Sequence, residues 1–236
     1  MRAAAFLLLL LASPLWGNEP TNEPIRIAVA ANFRSTLQQI NNIYTLETGA
    51  RMTLSSASTG VLASQIMHGA PFDLFFAADH ETPAKLSESS PDTDNQPFCY
   101  ATGKLVLAGG DTTLSKLQRP QFSLAIANPA TAPYGRAAME VLARTEFNSG
   151  SERKLVRGSN IVQAYQFWHS GSTDLALLPL SMAPDNATPI PQGWHRPLQQ
   201  HALALSSRPA VTAYLQWFRS DRVRTLISQA GYDPCF

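Results

Sequence analysis

The stretch 25–35, IRIAVAANFRS, switches from strand to helix periodicity within about three residues, and this switch constrains the fold most. Ile25, Ile27, Ala28, Val29 and Ala30 make an alternating and then continuous apolar run, the pattern of a buried strand. Beyond Ala31, Asn32 and Phe33, the apolar positions Leu37, Ile40 and Tyr44 recur at helical spacing. A strand therefore runs almost directly into a helix. The first N–H groups of a helix have no internal partner, and that end carries a partial positive charge. Such a junction receives anions, and Asn32 stands in it.

The same grammar returns along the chain. Strands are expected over 51–56, 73–78, 104–108, 123–127, 155–157, 175–178 and 201–205. Helices are expected over 37–46, 61–69, 136–145, 161–170, 210–218 and 223–229, with a short helix capped by Asp79 running through Leu86. Strands alternating with helices imply an α/β fold of mostly parallel sheets, with ligand beyond the strands' carboxyl ends. The expected architecture is two small, doubly wound α/β lobes joined by a hinge. Residues 25–104 and 203–236 form lobe one and 105–202 form lobe two, hinged near Gly103 and Ala204.

The chain has 236 residues, 15% of them charged, with a net charge of +1, so no basic surface argues for nucleic acid. Residues 1–17 read as a secretion signal: Arg2 precedes a short apolar run that is too brief to span a bilayer. The mature chain is therefore expected in the periplasm, as a monomer. Of its two cysteines, Cys99 and Cys235, pairing is expected in an oxidising compartment, the alternative being two separate thiols.

Four expected strand-to-helix turns share a composition: AANF at 30–33, ASTG at 57–60, APYG at 132–135 and GSNI at 158–161. They are small, neutral and rich in hydroxyl, amide and N–H donors. None contains a carboxylate, while Arg34 and Arg136 lie just inside the helices that follow. Donors without acceptors suit a fully ionised oxyanion, which has no proton to give. Each hydrogen bond to a charged ligand contributes roughly 1.5–3 kcal/mol net.

At these residues the chain resembles the periplasmic molybdate-binding proteins that feed ABC importers. The resemblance runs from about residue 25 to 232 and is carried by VAANF at 29–33, SASTGVLASQIMHGAPFDLFFAAD at 56–79, IANPATAPYG at 126–135 and SNIVQAYQF at 159–167. It implies the two-lobed, hinged fold of the type II periplasmic binding proteins, with ligand in the cleft, no enzymatic activity and no cofactor. It also implies a molybdate or tungstate ligand and a membrane permease as partner. Carried over residue by residue, the oxyanion contacts fall on Asn32, on Thr59 with Ser58 beside it, on the backbone N–H of Tyr134 and on that of Ile161. The metal is reached only through the anion's oxygens. A tyrosine hydroxyl that makes a fifth contact in some members corresponds to a position near Pro179, which has no donor; either Asn32 replaces it or the anion differs.

Two other readings compete. One is a protein of the same shape for sulfate, phosphate or a small organic anion. The other is an exported α/β hydrolase, but no G-x-S-x-G elbow, H-E-x-x-H pair or paired carboxylates occur at a strand end. His68, His80, His169, His195 and His201 show no metal spacing, and Trp168, Trp194 and Trp217 read as packing residues. Asn160 reads as a helix cap.

Overall fold

The computed structural model describes residues 23–89, 96–110 and 113–236. The secretion signal and most of the polar loop expected over 87–96 lie outside the described residues. The chain builds β1 (Ile25–Ala30), α1 (Arg34–Thr48), β2 (Met52–Ala57), α2 (Thr59–Met67), β3 (Leu74–Phe76), α3 (Glu81–Glu88) and β4 (Phe98–Gly103). It continues through β5 (Leu105–Ala108), β6 (Leu124–Ala127), α4 (Pro133–Leu142), β7 (Leu155–Gly158), α5 (Ile161–His169), β8 (Leu175–Pro179) and β9 (Thr188–Pro189). It closes with β10 (Leu198–Ala204), α6 (Pro209–Phe218), α7 (Asp221–Gln229) and β11 (Asp233–Pro234).

Two sheets result, one per lobe. The first has the order β11-β4-β10-β3-β1-β2 and the second β7-β6-β8-β5-β9. Parallel pairing joins β1 to β2 and β3, and β6 to β7 and β8. The returning strands β4, β10 and β5 pair antiparallel. Alternation along β1 explains how the first lobe is filled. Ile25, Ile27 and Val29 pack with Leu37, Ile40, Tyr214 and Phe218, while Ala28 faces Leu62, Phe75 and Leu203 on the other side. Helix α1 ends where Gly49 takes a φ of +73°, a conformation that costs glycine little. The second lobe has its own core, from Leu105 and Leu124 to Leu178, which also takes in Ala30, Ala31 and Ala78 from lobe one.

Three elements depart from the expected pattern. No strand was expected over 98–103, yet β4 sits inside the first sheet, because Phe98, Tyr100 and Ala101 pack inward while its polar residues interrupt the apolar signal. Strand β10 begins at Leu198, not His201, so residues 198–202 are hydrogen-bonded into the first sheet although they were expected in lobe two. Gln199, Gln200 and His201 hide this strand from a hydropathy reading, and the buried one, Gln200, is satisfied by distant partners. Third, ASTG and APYG are not free turns: Thr59 and Gly60 open α2, and Pro133, Tyr134 and Gly135 open α4. Proline at the first helical position is pre-set for that geometry.

Cys99 and Cys235 are bonded, with Cα atoms 5.6 Å apart. The bond ties β11 to β4, where Asp233 and Pro234 pair with Thr102 and Ala101. Another long-range tie gathers the start of the chain. The Asp73 carboxylate, 2% exposed, accepts the Arg26 backbone N–H at 2.8 Å and Arg208 Nη1 at 3.0 Å. Trp168, Trp194 and Trp217 do pack against the cores; the Trp217 ring lies against Tyr44 and Tyr214.

Candidate oxyanion site

All five sequence-predicted site residues line one small cavity of about 10 Å³ between the lobes. Asn32 enters from the β1–α1 junction, and Ser58 and Thr59 from the start of α2. Tyr134 enters from the start of α4 and Ile161 from that of α5. Ala30 and Ala31 of the AANF turn, Ala132 and Pro133 of the APYG turn, and Ala78 complete the wall. Each of the five is no more than 4% exposed, so the lobes are closed around the space. No lining residue among the described residues carries a charge.

The donors can be assigned one at a time. Thr59, Tyr134 and Ile161 stand at the first or second helical position, where a backbone N–H has no carbonyl within its own helix to bond. Next to Ile161, Asn160 is the expected cap: its Oδ1 accepts from Val162 N–H at 2.9 Å and Gln163 N–H at 3.1 Å. It therefore satisfies the inner donors of α5 and leaves the first one over. The Thr59 Oγ1 accepts the Ala78 N–H at 3.0 Å and keeps its own proton.

Ser58 is the most telling residue. Serine at a helix N-cap normally bonds its hydroxyl to the second or third N–H of that helix. Ser58 stands at the N-cap of α2 and makes no such bond. Its Oγ is buried with no hydrogen-bond partner among the described residues. A buried hydroxyl without a partner is costly, and this one lines the cavity.

The Asn32 side-chain amide has protein partners: Nδ2 donates to Gln200 Oε1 at 2.8 Å and Tyr232 Oη at 3.2 Å. These partners lie 168 and 200 residues away, beyond the reach of any local pattern. The Tyr232 hydroxyl in turn donates to the Asn32 carbonyl at 2.8 Å and accepts from Ser181 Oγ at 2.8 Å. Gln200 Oε1 also accepts from Tyr100 Oη at 2.9 Å, and Gln200 Nε2 donates to Tyr134 Oη at 3.3 Å. A neutral hydrogen-bonded chain thus runs under the cavity from one lobe to the other. Burial pushes the Tyr100 and Tyr134 hydroxyls well above the usual phenol range and Tyr232 to about 12, so the chain stays uncharged at neutral pH.

The Tyr134 ring points away from the cavity's N–H donors and into this chain. It fits because residue 103 is glycine: a Cβ there would lie 2.0 Å from Tyr134 Oη. With the backbone N–H as the expected anion contact, Tyr134→Phe is expected to change oxyanion affinity by less than about fivefold, the single long bond to Gln200 being worth about 1 kcal/mol or less. Titration calorimetry checks this, and a loss above tenfold would assign the hydroxyl a direct role. Among the described residues no cluster of His, Cys, Asp and Glu could hold a metal ion directly.

Residues 25–233 match the family model described as bacterial extracellular solute-binding protein. The chain belongs to that family. This solute-binding protein is 35% identical over 224 residues to the molybdate-binding protein ModA of Azotobacter vinelandii, a match spanning 88% of this chain and 89% of the relative. It is 33% identical over 217 residues to the molybdate-binding protein ModA of Rhodobacter capsulatus, spanning 87% of this chain and 86% of that one. A solved structure of the Azotobacter vinelandii periplasmic molybdate-binding protein superposes with a TM-score of 0.80 at 27% identity, covering 88% of this chain and 98% of that chain. The two-lobed fold expected from the sequence is thereby established. These relatives are named as binding proteins, in agreement with the sequence reading, and the extracellular family with its periplasmic structural relative makes this an extracytoplasmic protein.

Proposed function

We propose that this solute-binding protein captures molybdate or tungstate in the periplasm, as a monomer, and delivers it to the membrane permease of an ABC importer. The cavity is the observation that carries the reading. It collects hydrogen-bond donors from two lobes, contains no charged side chain, and leaves the Ser58 hydroxyl without a protein partner. An ionised tetrahedral oxyanion satisfies all of these together. Ser58 Oγ and the backbone N–H groups of Thr59, Tyr134 and Ile161 are the donors in this reading, with Asn32 contributing through its backbone and bracing the lobes through its side chain. The absence of a carboxylate disfavours a ligand that still carries a proton, such as hydrogen phosphate. Pre-organised helix N-termini supply charge stabilisation without a cation. The relatives that bind molybdate support the choice of anion.

The lobes in this reading comprise residues 25–104 with 198–236, and 105–197, meeting where β4 passes into β5 and where the chain returns into β10. Melting the purified protein with molybdate, tungstate, sulfate and phosphate in turn tests the assignment. Molybdate and tungstate at a thousandfold over Kd are expected to stabilise the fold by about 4 kcal/mol, a rise of several degrees in Tm. A shift with phosphate and none with molybdate or tungstate would overturn the reading.

A further inference from the structure

Beside the cavity runs a groove that shares two wall residues with it, Ala78 and Pro133. Asp79, the residue after Ala78, lies in this groove, and Arg136 reaches into it from α4 of the other lobe. The two side chains meet at 2.5 Å, Nη2 to Oδ2, with the carboxylate 11% exposed and the guanidinium 34% exposed. Asp79 was read from the sequence as a helix cap, and its Oδ1 does accept the Thr82 N–H at 3.0 Å. Its other oxygen is thus free to make a second bond, across the cleft.

We propose that Asp79 and Arg136 are positioning residues for the anion, holding the closed lobes together and neutralising a carboxylate next to the cavity wall. The proposal rests on the oxyanion reading above. Neither residue lines the cavity, so neither is a ligand contact. Their effect is indirect and has a sign. An ionised, poorly solvated carboxylate one residue from the wall repels a dianion unless a cation is held against it. Removing the arginine therefore does double damage: the cross-lobe bond is lost and the repulsion is exposed. Removing the aspartate's charge loses the bond but leaves an unpaired arginine that attracts the anion. The groove's other carboxylates are also paired, both with Arg196: Glu140 at 2.7 Å and Glu81 at 3.6 Å. Arg196 is 67% exposed, however, and such pairs contribute little. Another cross-lobe bond, from Gly60 N–H to the Thr131 carbonyl at 2.9 Å, is made just ahead of α4 and carries no charge.

Titration calorimetry and stopped-flow dissociation with molybdate test this on the full-length mature protein. Arg136→Gln is expected to raise Kd about tenfold or more, mainly through faster dissociation, less than for a wholly buried pair because the guanidinium is partly exposed. Asp79→Asn keeps the cap acceptor and is expected to raise Kd only about fivefold or less, because the lost bond and the gained attraction oppose each other. The double variant should bind more tightly than Arg136→Gln alone, and Arg136→Lys should recover most of the loss. A purely structural role predicts otherwise: both single variants would lower the ligand-free Tm, and the double variant would be no better than the worse single. That pattern, or wild-type affinity in Arg136→Gln, overturns the proposal. If the unmodified protein binds neither molybdate nor tungstate, the oxyanion reading fails first and the proposal falls with it.

Discussion

Replacing Ser58 by alanine is expected to weaken oxyanion binding by about 1.5–3 kcal/mol, roughly tenfold to 150-fold in Kd, without lowering the stability of the ligand-free protein. The two halves of this expectation come from one observation. The hydroxyl stands where a cap would stand but caps nothing, and it is buried without a partner. Alanine therefore removes no hydrogen bond from the empty fold and relieves a desolvated polar group, so Tm should hold or rise slightly. In the proposed complex the same hydroxyl donates to the anion in a closed, poorly solvated space, where a charge-assisted bond is strong. Calorimetric titration and a melting curve on the same preparation separate the two effects. A fall in Tm with unchanged affinity would show that the hydroxyl supports the fold and not the ligand.

Asp73→Ala is expected to destabilise the protein by about 2–4 kcal/mol, with little effect on the donors of the cavity. The carboxylate is buried and joins β1 to the segment before α6 through Arg26 and Arg208. Arg208 also donates to the carbonyls of Glu23 and Pro24. The loss is set below that of a wholly buried pair because Arg26 and Arg208 keep 43% and 25% of their side-chain exposure. Burial on its own would push the Asp73 carboxyl up, but the Arg26 N–H and the Arg208 guanidinium outweigh it and hold it below the ordinary value of 3.8. A carboxyl depressed in the folded state stabilises that state above the unfolded pKa. The contribution then drains away as pH falls through the lower, folded value. Urea midpoints at pH 7 and near pH 3 should therefore converge between wild type and Asp73→Asn. A gap that stayed constant with pH would show that packing, not charge, is what Asp73 supplies.

The positions around the cavity were legible because their signal is local. A strand, a small polar turn and a helix occupy a dozen residues, and the chemistry of a helix N-terminus follows from that grammar alone. All five predicted residues accordingly line one space. The tasks of individual side chains were less legible. Asn32 looked like a ligand donor, yet its amide is held by Gln200 and Tyr232, which only the folded chain brings near. Ser58 looked secondary to Thr59, and only the missing cap bond shows its hydroxyl to be unspent. Strands β4 and β10 were hard to see for a related reason. They sit in the middle of a sheet but carry polar groups such as Gln200, which pattern reading scores as surface and tertiary partners make tolerable. Asp79 was read for one of its two oxygens, because the guanidinium that takes the other comes from the opposite lobe, 57 residues on.

The bond between Cys99 and Cys235 reaches further than the strand it anchors. Tyr232, three residues before Cys235, grips Asn32 at its carbonyl and its amide and receives the Ser181 hydroxyl. The floor under the cavity is thus held by residues beside β11, and the disulfide fastens that segment to β4. Through that bond β4, inside the first sheet, and the hydrogen-bonded network beneath the cavity share one covalent anchor.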